Sequence, residues 1–591
     1  MGLHPHKSTM TCIRADSQMG LQTHGEHGAK RVLLRHSAGR AGRAPAFSGG
    51  PNLGARWAID FPGATEEEAR ARTVLVADGT VLLATLPSVD KPGRPAPRTL
   101  DDLVDHITKW MQKALQTARY VVLAFDEPEH VSPAKHEEQR SRDRRRKKGL
   151  PECSEDLQTI PTSDAFDLAT LEQLDNVADM ISTHRATRAR TYDEIMKRVM
   201  ERLQEWDANC ALPEGSWGLV LDGIDERGAA RPRRAARRPG IMISHGFFAA
   251  LWPEGFRRDF DGDGYGSKPI GEGDMKLPDW VERWRAFGGE NEFLRDVDYF
   301  LLHTNDTDSL AIEMLAVAKR LEEDREDEEA GDLTEGEDCE WPDGRPPPPP
   351  PPPPPKPRVR VVLAFLQTWV KQVPFEERKL TKAQEAYATH VLPTLSAEEQ
   401  RRHDVIERAL HNRILFWDAG MLHDDMLAHL NATRLGWRQR REAIALLAGA
   451  LAMGGCDFVG SLVRTDRAID AVRAALAQPP AQLEPLLSAA RGLLQPDTGD
   501  DAADAAAVRG GAFALSTILS TVAGTLDATG TGNGHDARAS EKAKACDQQM
   551  LLRTCWTACY WNKHELYHVD RWGFVPPPAY DAPVAMDIAS G

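Results

Sequence analysis

Continuous apolar runs that end at or just before acidic residues constrain the fold of this chain more than any other feature. Such runs occupy 56–59, 120–125 and 299–304, and a shorter apolar stretch precedes Asp457. A run of this length is typical of a strand buried on both faces, as in a parallel sheet covered by helices. We therefore expect an α/β fold with a mainly parallel central sheet flanked by helices.

Seven carboxylates lie at or near the ends of apolar runs, in five small clusters. They are Asp60, Asp126, Glu272, Asp274, Asp306, Asp308 and Asp457. A single Asp at a strand end is most often a turn or N-cap residue, but the carboxyl ends of strands in an open α/β sheet also line the ligand crevice. The joint occurrence of five clusters predicts one shared site.

A shared site of this kind needs cations. Two carboxylates about 4 Å apart repel by roughly 4 kcal/mol at an effective dielectric constant of about 20. Oxygen ligands without nearby His or Cys favour Mg²⁺, for which Mn²⁺ can substitute. Two such ions about 3.5–4 Å apart would stabilise the attacking and leaving oxygens of a phosphodiester hydrolysis.

The order of these clusters resembles that of the PIN-like 5′-nuclease superfamily, which includes flap endonucleases and the Xrn 5′→3′ exoribonucleases. In that superfamily a lone Asp ends the first strand, a second Asp precedes a basic helix, and a Gly-Glu-Gly motif opens another helix. An Asp-x-Asp pair and a Gly-x-Asp-Phe motif follow. The resemblance covers roughly 56–310 and 358–476. It implies a PIN-like fold, a catalytic site formed by the seven carboxylates and two Mg²⁺ ions.

Three features resemble the Xrn branch in particular. Lys135, Gln139 and Arg142 match an Xrn pattern whose side chains hold the 5′-phosphate of the substrate. The string GEGDMK at 271–276 is similar to the Xrn Gly-Glu-Gly-Glu-x-Lys motif, and the Gly-Ile-Gly turn of flap endonucleases is missing after Asp457. The resemblance implies a 5′→3′ exoribonuclease whose partner is single-stranded RNA with a 5′-monophosphate.

Further functions stay open at this point. The second acid of the Gly-Glu-Gly-Glu motif is Asp274, which is one methylene shorter, and a second family Arg after Arg142 is replaced by Asp143. These departures leave room for a degenerate nucleic-acid-binding protein. The acids by themselves would also suit a flap-type DNA nuclease or a phosphatase-like metal hydrolase.

Glu290 and Glu292 also imitate the acidic motif that we assign to Glu272 and Asp274. Little chain is left between Glu292 and the run at 299–304 for the helix that the motif should open, since one helical turn needs about 3.6 residues. The segment 275–287 can form that helix after Asp274. We therefore favour Glu272 and Asp274.

A basic run at 140–148 follows Asp126, where it could neutralise the charge of a nucleic-acid backbone. The formal net charge of the chain is −16, but an acidic tract at 321–341 supplies part of it. The tract leads into ten consecutive prolines at 346–355, which are expected to be extended and could bind a Pro-recognising domain.

Composition and the family resemblance together predict six regions. We expect a flexible leader over 1–50, a nuclease core over 51–320 and 358–495 with its second part helical, a disordered acidic and polyproline insertion over 321–357, a low-complexity linker over 496–540, and an aromatic C-terminal segment over 541–591 that packs on the core.

Eight cysteines without a clear disulfide framework favour a reducing, intracellular environment, in the cytoplasm or the nucleus. The longest apolar stretch, at 443–453, is too short to span a bilayer, which needs about 20 residues, so no membrane association is expected. Cys555 and Cys559, with His564 and His568, could be written as a zinc site. Their spacing is much shorter than the usual loop of roughly twelve residues, so a packing role is favoured.

Overall fold

The structure is a computed structural model of the chain. It describes Leu33 and residues 72–79, 82–83, 86, 97, 99–114, 118, 120–125, 195, 198–199, 201–202, 218–221, 240–245, 273–287, 297–304, 306–335, 359–366, 385, 388–397, 399–401, 414–456, 458–459, 462–494, 501–528 and 548–562.

A single seven-stranded sheet forms the centre of the fold, in the order β3-β4-β2-β1-β5-β6-β7. The strands are β1 (Thr73–Asp78), β2 (Tyr120–Phe125), β3 (Gly218–Leu221), β4 (Gly240–His245), β5 (Tyr299–Thr304), β6 (Arg360–Leu366) and β7 (Ile414–Asp418). All neighbouring strands pair in parallel except β6 and β7, which are antiparallel. The prediction of an α/β fold with a mainly parallel sheet is confirmed.

Nine α-helices accompany the sheet in the described part of the chain. They are α1 (Leu100–Ala114), α2 (Gly273–Phe287), α3 (Asp308–Glu335), α4 (Ala419–His429), α5 (Trp437–Met453), α6 (Thr465–Leu476), α7 (Pro480–Ala490), α8 (Asp501–Ala528) and α9 (Gln548–Asn562). No described helix is both long and apolar enough to cross a membrane.

The central strands are buried on both faces, as their apolar sequences predict. Every residue of β1 is buried. On one face Phe300 of β5 meets Trp284 of α2 edge to face, with ring centroids 5.5 Å apart. On the other face His303 meets Trp110 of α1 at 5.6 Å. Helices therefore cover both sides of the sheet.

Strand β1 lies at the centre of the sheet, and its sequence TVLVAD was not among the apolar runs expected to form strands. The run at 56–59 lies outside the described residues. The stretch before Asp457 was expected to be a strand, which is wrong, because it is the end of helix α5. Residues 443–453 of that helix are all buried. An apolar run of this length is longer than a typical strand and is expected of a helix that other elements surround.

The acidic tract was expected to be disordered from residue 321 onward, but helix α3 continues to Glu335. Arginines from other helices explain why the first part of the tract folds. Arg441 of α5 pairs with Glu322, and Arg285 of α2 pairs with Asp324 at 2.5 Å. The acids are neutralised by residues far away in the sequence. Residues 336–357, with the ten prolines, lie outside the described residues.

The linker expected at 496–540 is also wrong over most of its length. Helix α8 occupies Asp501–Ala528, and its Ala514, Leu515 and Ile518 are completely buried. Alanine has the highest helix propensity, and the apolar residues of α8 recur with helical spacing. The segment is therefore part of the helical layer.

The two ends of the chain differ in how they compare with the predictions. Of the leader 1–50 only Leu33 is described, and it lies in the main hydrophobic core rather than in a flexible segment. Helix α9 of the C-terminal segment packs on the core as predicted, with Trp556 and Tyr560 buried.

Candidate functional site at the carboxyl edge of the sheet

The strand order creates a topological switch point between β1 and β5. From β1 the chain moves outward through β2 to β4 and β3, and it then returns to the opposite side of β1 to form β5. In open α/β sheets, ligands bind outside the carboxyl ends of the strands at such a point. A functional site is therefore expected at this edge.

Asp78 is the last residue of β1 and is 7% exposed. The register of the sheet pairs Ala77 with His303, so Asp78 lies beside Thr304, the last residue of β5. On its other side Asp78 pairs with Ala124 of β2. Since side chains alternate along a strand, Asp78 is on the same face as Val74 and Val76, which is the face that α2 and α3 cover.

Asp306 and Asp308 lie in the turn that joins β5 to α3. The backbone N–H of Asp306 donates to Thr304 Oγ1 at 3.0 Å, and the N–H of Asp308 donates to Asp306 Oδ1 at 3.0 Å. Asp306 therefore caps the start of α3 as well as carrying a charge. Asp308 is 4% exposed. The hydroxyls of Thr304 and Ser309 are hydrogen-bonded to each other, with their oxygens 3.2 Å apart. The turn holds two carboxylates next to the end of β1.

Asp274 lies in the first turn of α2, where its Oδ1 accepts a hydrogen bond of 2.8 Å from the N–H of Met275. Helix α2 precedes β5 in a connection between parallel strands, so it runs antiparallel to them. Its first turn therefore lies toward the carboxyl edge. This agrees with the prediction that the acidic motif opens a helix.

Helices α3 and α5 are antiparallel neighbours. Arg441 pairs with Glu322, and Arg438 lies 3.5 Å from Glu326. Residue numbers therefore increase along α5 in the direction in which they decrease along α3. With equal rise per residue in the two helices, Met453 at the end of α5 lies level with Leu310 near the start of α3. Helix α5 thus returns the chain to the end of α3 that carries Asp308.

The two described neighbours of Asp457, Cys456 and Phe458, are buried just beyond the end of α5. Phe458 packs edge to face on Trp556 and Tyr560 of α9, with centroid distances of 5.1 and 5.6 Å. Those two rings are themselves stacked at 5.0 Å. An aromatic cluster thus fixes this turn.

Seven of the ten predicted site residues lie outside the described residues, as does the competing pair Glu290 and Glu292. The seven are Asp60, Asp126, Glu272 and Asp457 of the carboxylate set, and Lys135, Gln139 and Arg142 of the phosphate pocket. Among the residues that are described, no group of three or more His, Cys, Asp and Glu side chains is arranged to hold a metal ion.

Asp78 is the site candidate that the sequence interpretation missed. The signal was the same as for the other clusters, namely an apolar run that ends at an acid, here TVLVAD. The run at 56–59, with Asp60, was preferred as the first strand. Only the strand order reveals that the strand ending at Asp78 is the central one.

His303 adds no positive charge beneath these acids. It is fully buried in β5, and burial lowers its pKa to about 4. Its ring is therefore neutral near pH 7 and contributes no positive charge to this edge.

Cys555 and Cys559 pack against neighbouring backbone. The thiol of Cys559 donates to the carbonyl of Gly492 at 3.3 Å, and both cysteines are buried and unoxidised. These contacts agree with the packing role expected for them. His564 and His568 lie outside the described residues.

Comparison with protein-family models and with curated protein sequences gave no match. The class that the fold and site define is therefore the coarse one, an α/β protein with acidic residues at the carboxyl edge of a mainly parallel sheet.

Proposed function

We propose that this protein is a metal-dependent nuclease with a PIN-like fold, and that it degrades 5′-phosphorylated single-stranded RNA in the 5′→3′ direction. The observation that carries the proposal is the placement of acids on adjacent strands at the switch point. Asp78 ends β1, and Asp306 and Asp308 follow β5. In the sequence Asp126 directly follows β2, the strand on the other side of β1.

These donors fit a hard divalent cation. They are carboxylates, with the hydroxyls of Thr304 and Ser309 beside them, and such oxygen ligands are those that Mg²⁺ and Mn²⁺ prefer. Asp78, Asp274, Asp306 and Asp308 would hold the ions together with Asp126, Glu272 and Asp457. When bound, two Mg²⁺ ions supply charge stabilisation to the attacking and leaving oxygens of phosphodiester hydrolysis.

The residues of the chain itself would orient the substrate and keep the acids in place. The hydrogen bond from the Asp308 N–H to Asp306 Oδ1 holds the Asp306 carboxylate at the start of α3. Lys135, Gln139 and Arg142 would bind the 5′-phosphate, since cationic and amide groups donate hydrogen bonds to phosphate oxygens. Binding of the 5′ end next to the acids would explain exonuclease action from that end.

Asp78 would take the role of the acid after the first strand, which the motif order predicts for Asp60. Asp78 ends a strand between two others that lead into acids, and it is almost completely buried at the carboxyl edge of the sheet. A buried carboxylate in this position is costly unless a cation or hydrogen bonds neutralise it.

The first experiment uses four substrates and Mg²⁺. Single-stranded RNA and DNA, each with a 5′-phosphate or a 5′-hydroxyl, are incubated with the full chain, and products are followed from both ends. Release of mononucleotides from 5′-phosphorylated RNA supports the proposal. Cleavage of flapped DNA alone would replace it with a flap-type nuclease, and binding without cleavage would replace it with a nucleic-acid-binding protein.

The second experiment uses Asp306→Asn as the diagnostic variant. Asn is as good an N-cap as Asp, so the cap on Asp308 survives while the negative charge is lost. We expect cleavage to fall by at least about a hundredfold, since a metal ligand supplies several kcal/mol of charge stabilisation, while RNA binding by fluorescence anisotropy is retained. Asp424→Asn, on the surface of α4, is the control, because the Asp424 side chain is 60% exposed.

A matched pair of variants separates Asp78 from Asp60. We expect Asp78→Asn to lose cleavage as Asp306→Asn does, and Asp60→Asn to keep it. The opposite pattern would return the role to Asp60 and contradict the site drawn from the strand order.

A further inference from the structure

A buried ionic network joins α2 to α3, the two helices whose first turns carry Asp274 and Asp308. Arg320 of α3 donates to Glu282 of α2 at 3.0 Å and to Glu313 of its own helix at 3.1 Å. Glu282 uses its second oxygen for Arg285, at 3.5 Å. Arg285 continues to Asp324 at 2.5 Å and to Glu323 at 3.6 Å. Glu282 is thus shared by two arginines on different helices.

Three members of this network are shielded from water, whereas Glu282, Glu323 and Asp324 are partly exposed. The side chains of Arg285 and Glu313 are 2% and 1% exposed, and that of Arg320 is 7% exposed. Burial raises the pKa of Glu313, and the charge of Arg320 opposes that rise. Removing charges from water in this way is costly, and apolar residues of similar size would hold two helices together equally well.

What the network supplies beyond cohesion is register. Arginine forks and carboxylates pair well in one arrangement only, so a buried network of this kind can specify the register of two helices in addition to their packing. A slip of one residue moves a helix by about 1.5 Å, and a slip of one turn by about 5.4 Å. Either slip would leave buried charges unpaired.

The register of these helices bears directly on the acids. Glu282 is eight residues from Asp274 along α2, and Arg320 is twelve residues from Asp308 along α3. Pro278, which lies between Asp274 and Glu282, lacks the N–H that would donate to the Asp274 carbonyl, but α2 continues as one helix to Phe287. An α-helix is stiff along its axis over such lengths of roughly 12–18 Å. Mg²⁺ demands near-ideal octahedral geometry at about 2.0–2.1 Å, so a slip of about 1.5 Å would spoil a shared site.

We propose that Glu282, Arg285, Arg320 and Glu313 are positioning residues that fix the two site helices relative to each other and thereby set the affinity for Mg²⁺. This rests on the proposed function. None of the four touches the metal or the substrate, and they act through the helix starts at Asp274 and Asp308.

The test replaces the charges by apolar residues of similar size, in the variant Glu282→Leu/Glu313→Leu/Arg320→Met. Glu442→Leu/Arg491→Met is the control, because Glu442 is also buried and pairs with Arg491, but that pair joins α5 to the segment Arg491–Leu493. The Mg²⁺ concentration that gives half of the maximal thermal shift is measured for both variants and for the parent protein. Hydrogen exchange is followed by mass spectrometry in peptides that cover the starts of α2 and α3.

We expect the network variant to fold and to need at least about ten times more Mg²⁺ for the half-maximal shift, with the control unchanged. Amides in the first turns of α2 and α3 should exchange at least about ten times faster. Unchanged Mg²⁺ dependence and exchange, or faster exchange spread evenly over the protein and equal in the control, would overturn the proposal. If the network variant does not fold, Glu282→Gln should give a smaller shift in the same direction.

The two readouts separate this inference from the proposed function. A parent protein that neither cleaves RNA nor responds to Mg²⁺ would refute the function. Exchange at the two helix starts would then still decide whether the network sets their register.

Discussion

Substitutions at Gly492 and Gly524 test how closely helix α8 packs against the segment Arg491–Leu493. A Cβ on Gly492 would lie 1.8 Å from the carbonyl oxygen of Ala507, 2.7 Å from the nitrogen of Gly511 and 2.8 Å from the carbonyl carbon of Ala507. All three atoms belong to the backbone of α8. None can rotate away, so the helix itself must move.

The size of the effect follows from these distances. Ordinary contact begins at 3.4 Å, so Gly492→Ala requires a displacement of about 1.6 Å, the difference between 3.4 and 1.8 Å. A shift of that size would also disturb Gly511, which already lies close to the Cys555 thiol. Overpacking typically costs about 1–3 kcal/mol, and we expect Gly492→Ala to reach or exceed the upper end.

Gly524 is the control on the same helix. A Cβ there would meet no atom within 4 Å among the described residues. Ala in a helix interior is favoured over Gly by roughly 0.5–1 kcal/mol, so Gly524→Ala should stabilise the protein slightly. The two variants should therefore differ by at least roughly 3.5–4 kcal/mol in the free energy of unfolding.

Urea unfolding followed by tryptophan fluorescence measures both variants, with the change in free energy taken from the midpoint at constant slope. Trp556 is buried in α9, which packs on α8, and reports the same layer. If Gly492→Ala is as stable as the parent protein, α8 does not cross the segment Arg491–Leu493 as closely as these distances require, and the linker interpretation of 496–540 would be restored.

His303 and Asp418 provide further tests of the structure. Burial lowers the pKa of His303 to about 4 from 6.5, so between these pH values the unfolded state binds a proton that the folded state does not. The free energy of unfolding should therefore fall by about 3 kcal/mol as the pH drops from about 6.5 to 4. His303→Leu should remove that part of the pH dependence, as measured by urea unfolding of the variant and the parent protein at several pH values. A parallel decline in both proteins would contradict this. Asp418 caps α4 by accepting a hydrogen bond from the Met421 N–H at 2.9 Å, and it also pairs with Arg360. Asp418→Ala should therefore cost about 1–2 kcal/mol of stability for the cap and up to about 1 kcal/mol for the ion pair. Asp418→Asn keeps the cap and should lose only the ion pair. Equal losses in the two variants, measured by thermal unfolding, would show that the cap contributes nothing.

Short-range patterns predicted several elements well. The apolar runs that form β2 and β5 were recognised because strands buried on both faces need nothing beyond their own apolar residues to be visible in a sequence. The acidic motif at 271–274 was expected to open a helix, and α2 begins at Gly273. Aromatic residues near the C-terminus were expected to pack on the core, as α9 does.

Elements that depend on distant partners were missed. The acid-rich half of α3 has no apolar pattern of its own, and its Glu322, Asp324 and Glu326 pair with arginines of α2 and α5. Helix α8 is rich in small residues, which make a poor core by themselves but allow close crossing at Gly492 and Gly511. In both cases the surrounding structure supplies the stabilising contacts.

Apolar runs and the acids that follow them were sufficient to predict a mainly parallel sheet with acids after its strands, since residue type and period are local properties. The pairing of those strands sets which acids lie near one another, and no local pattern predicts that pairing. Asp78 lies at the switch point because β1 pairs with both β2 and β5, and strand order is a product of long-range pairing that leaves no mark on any one segment.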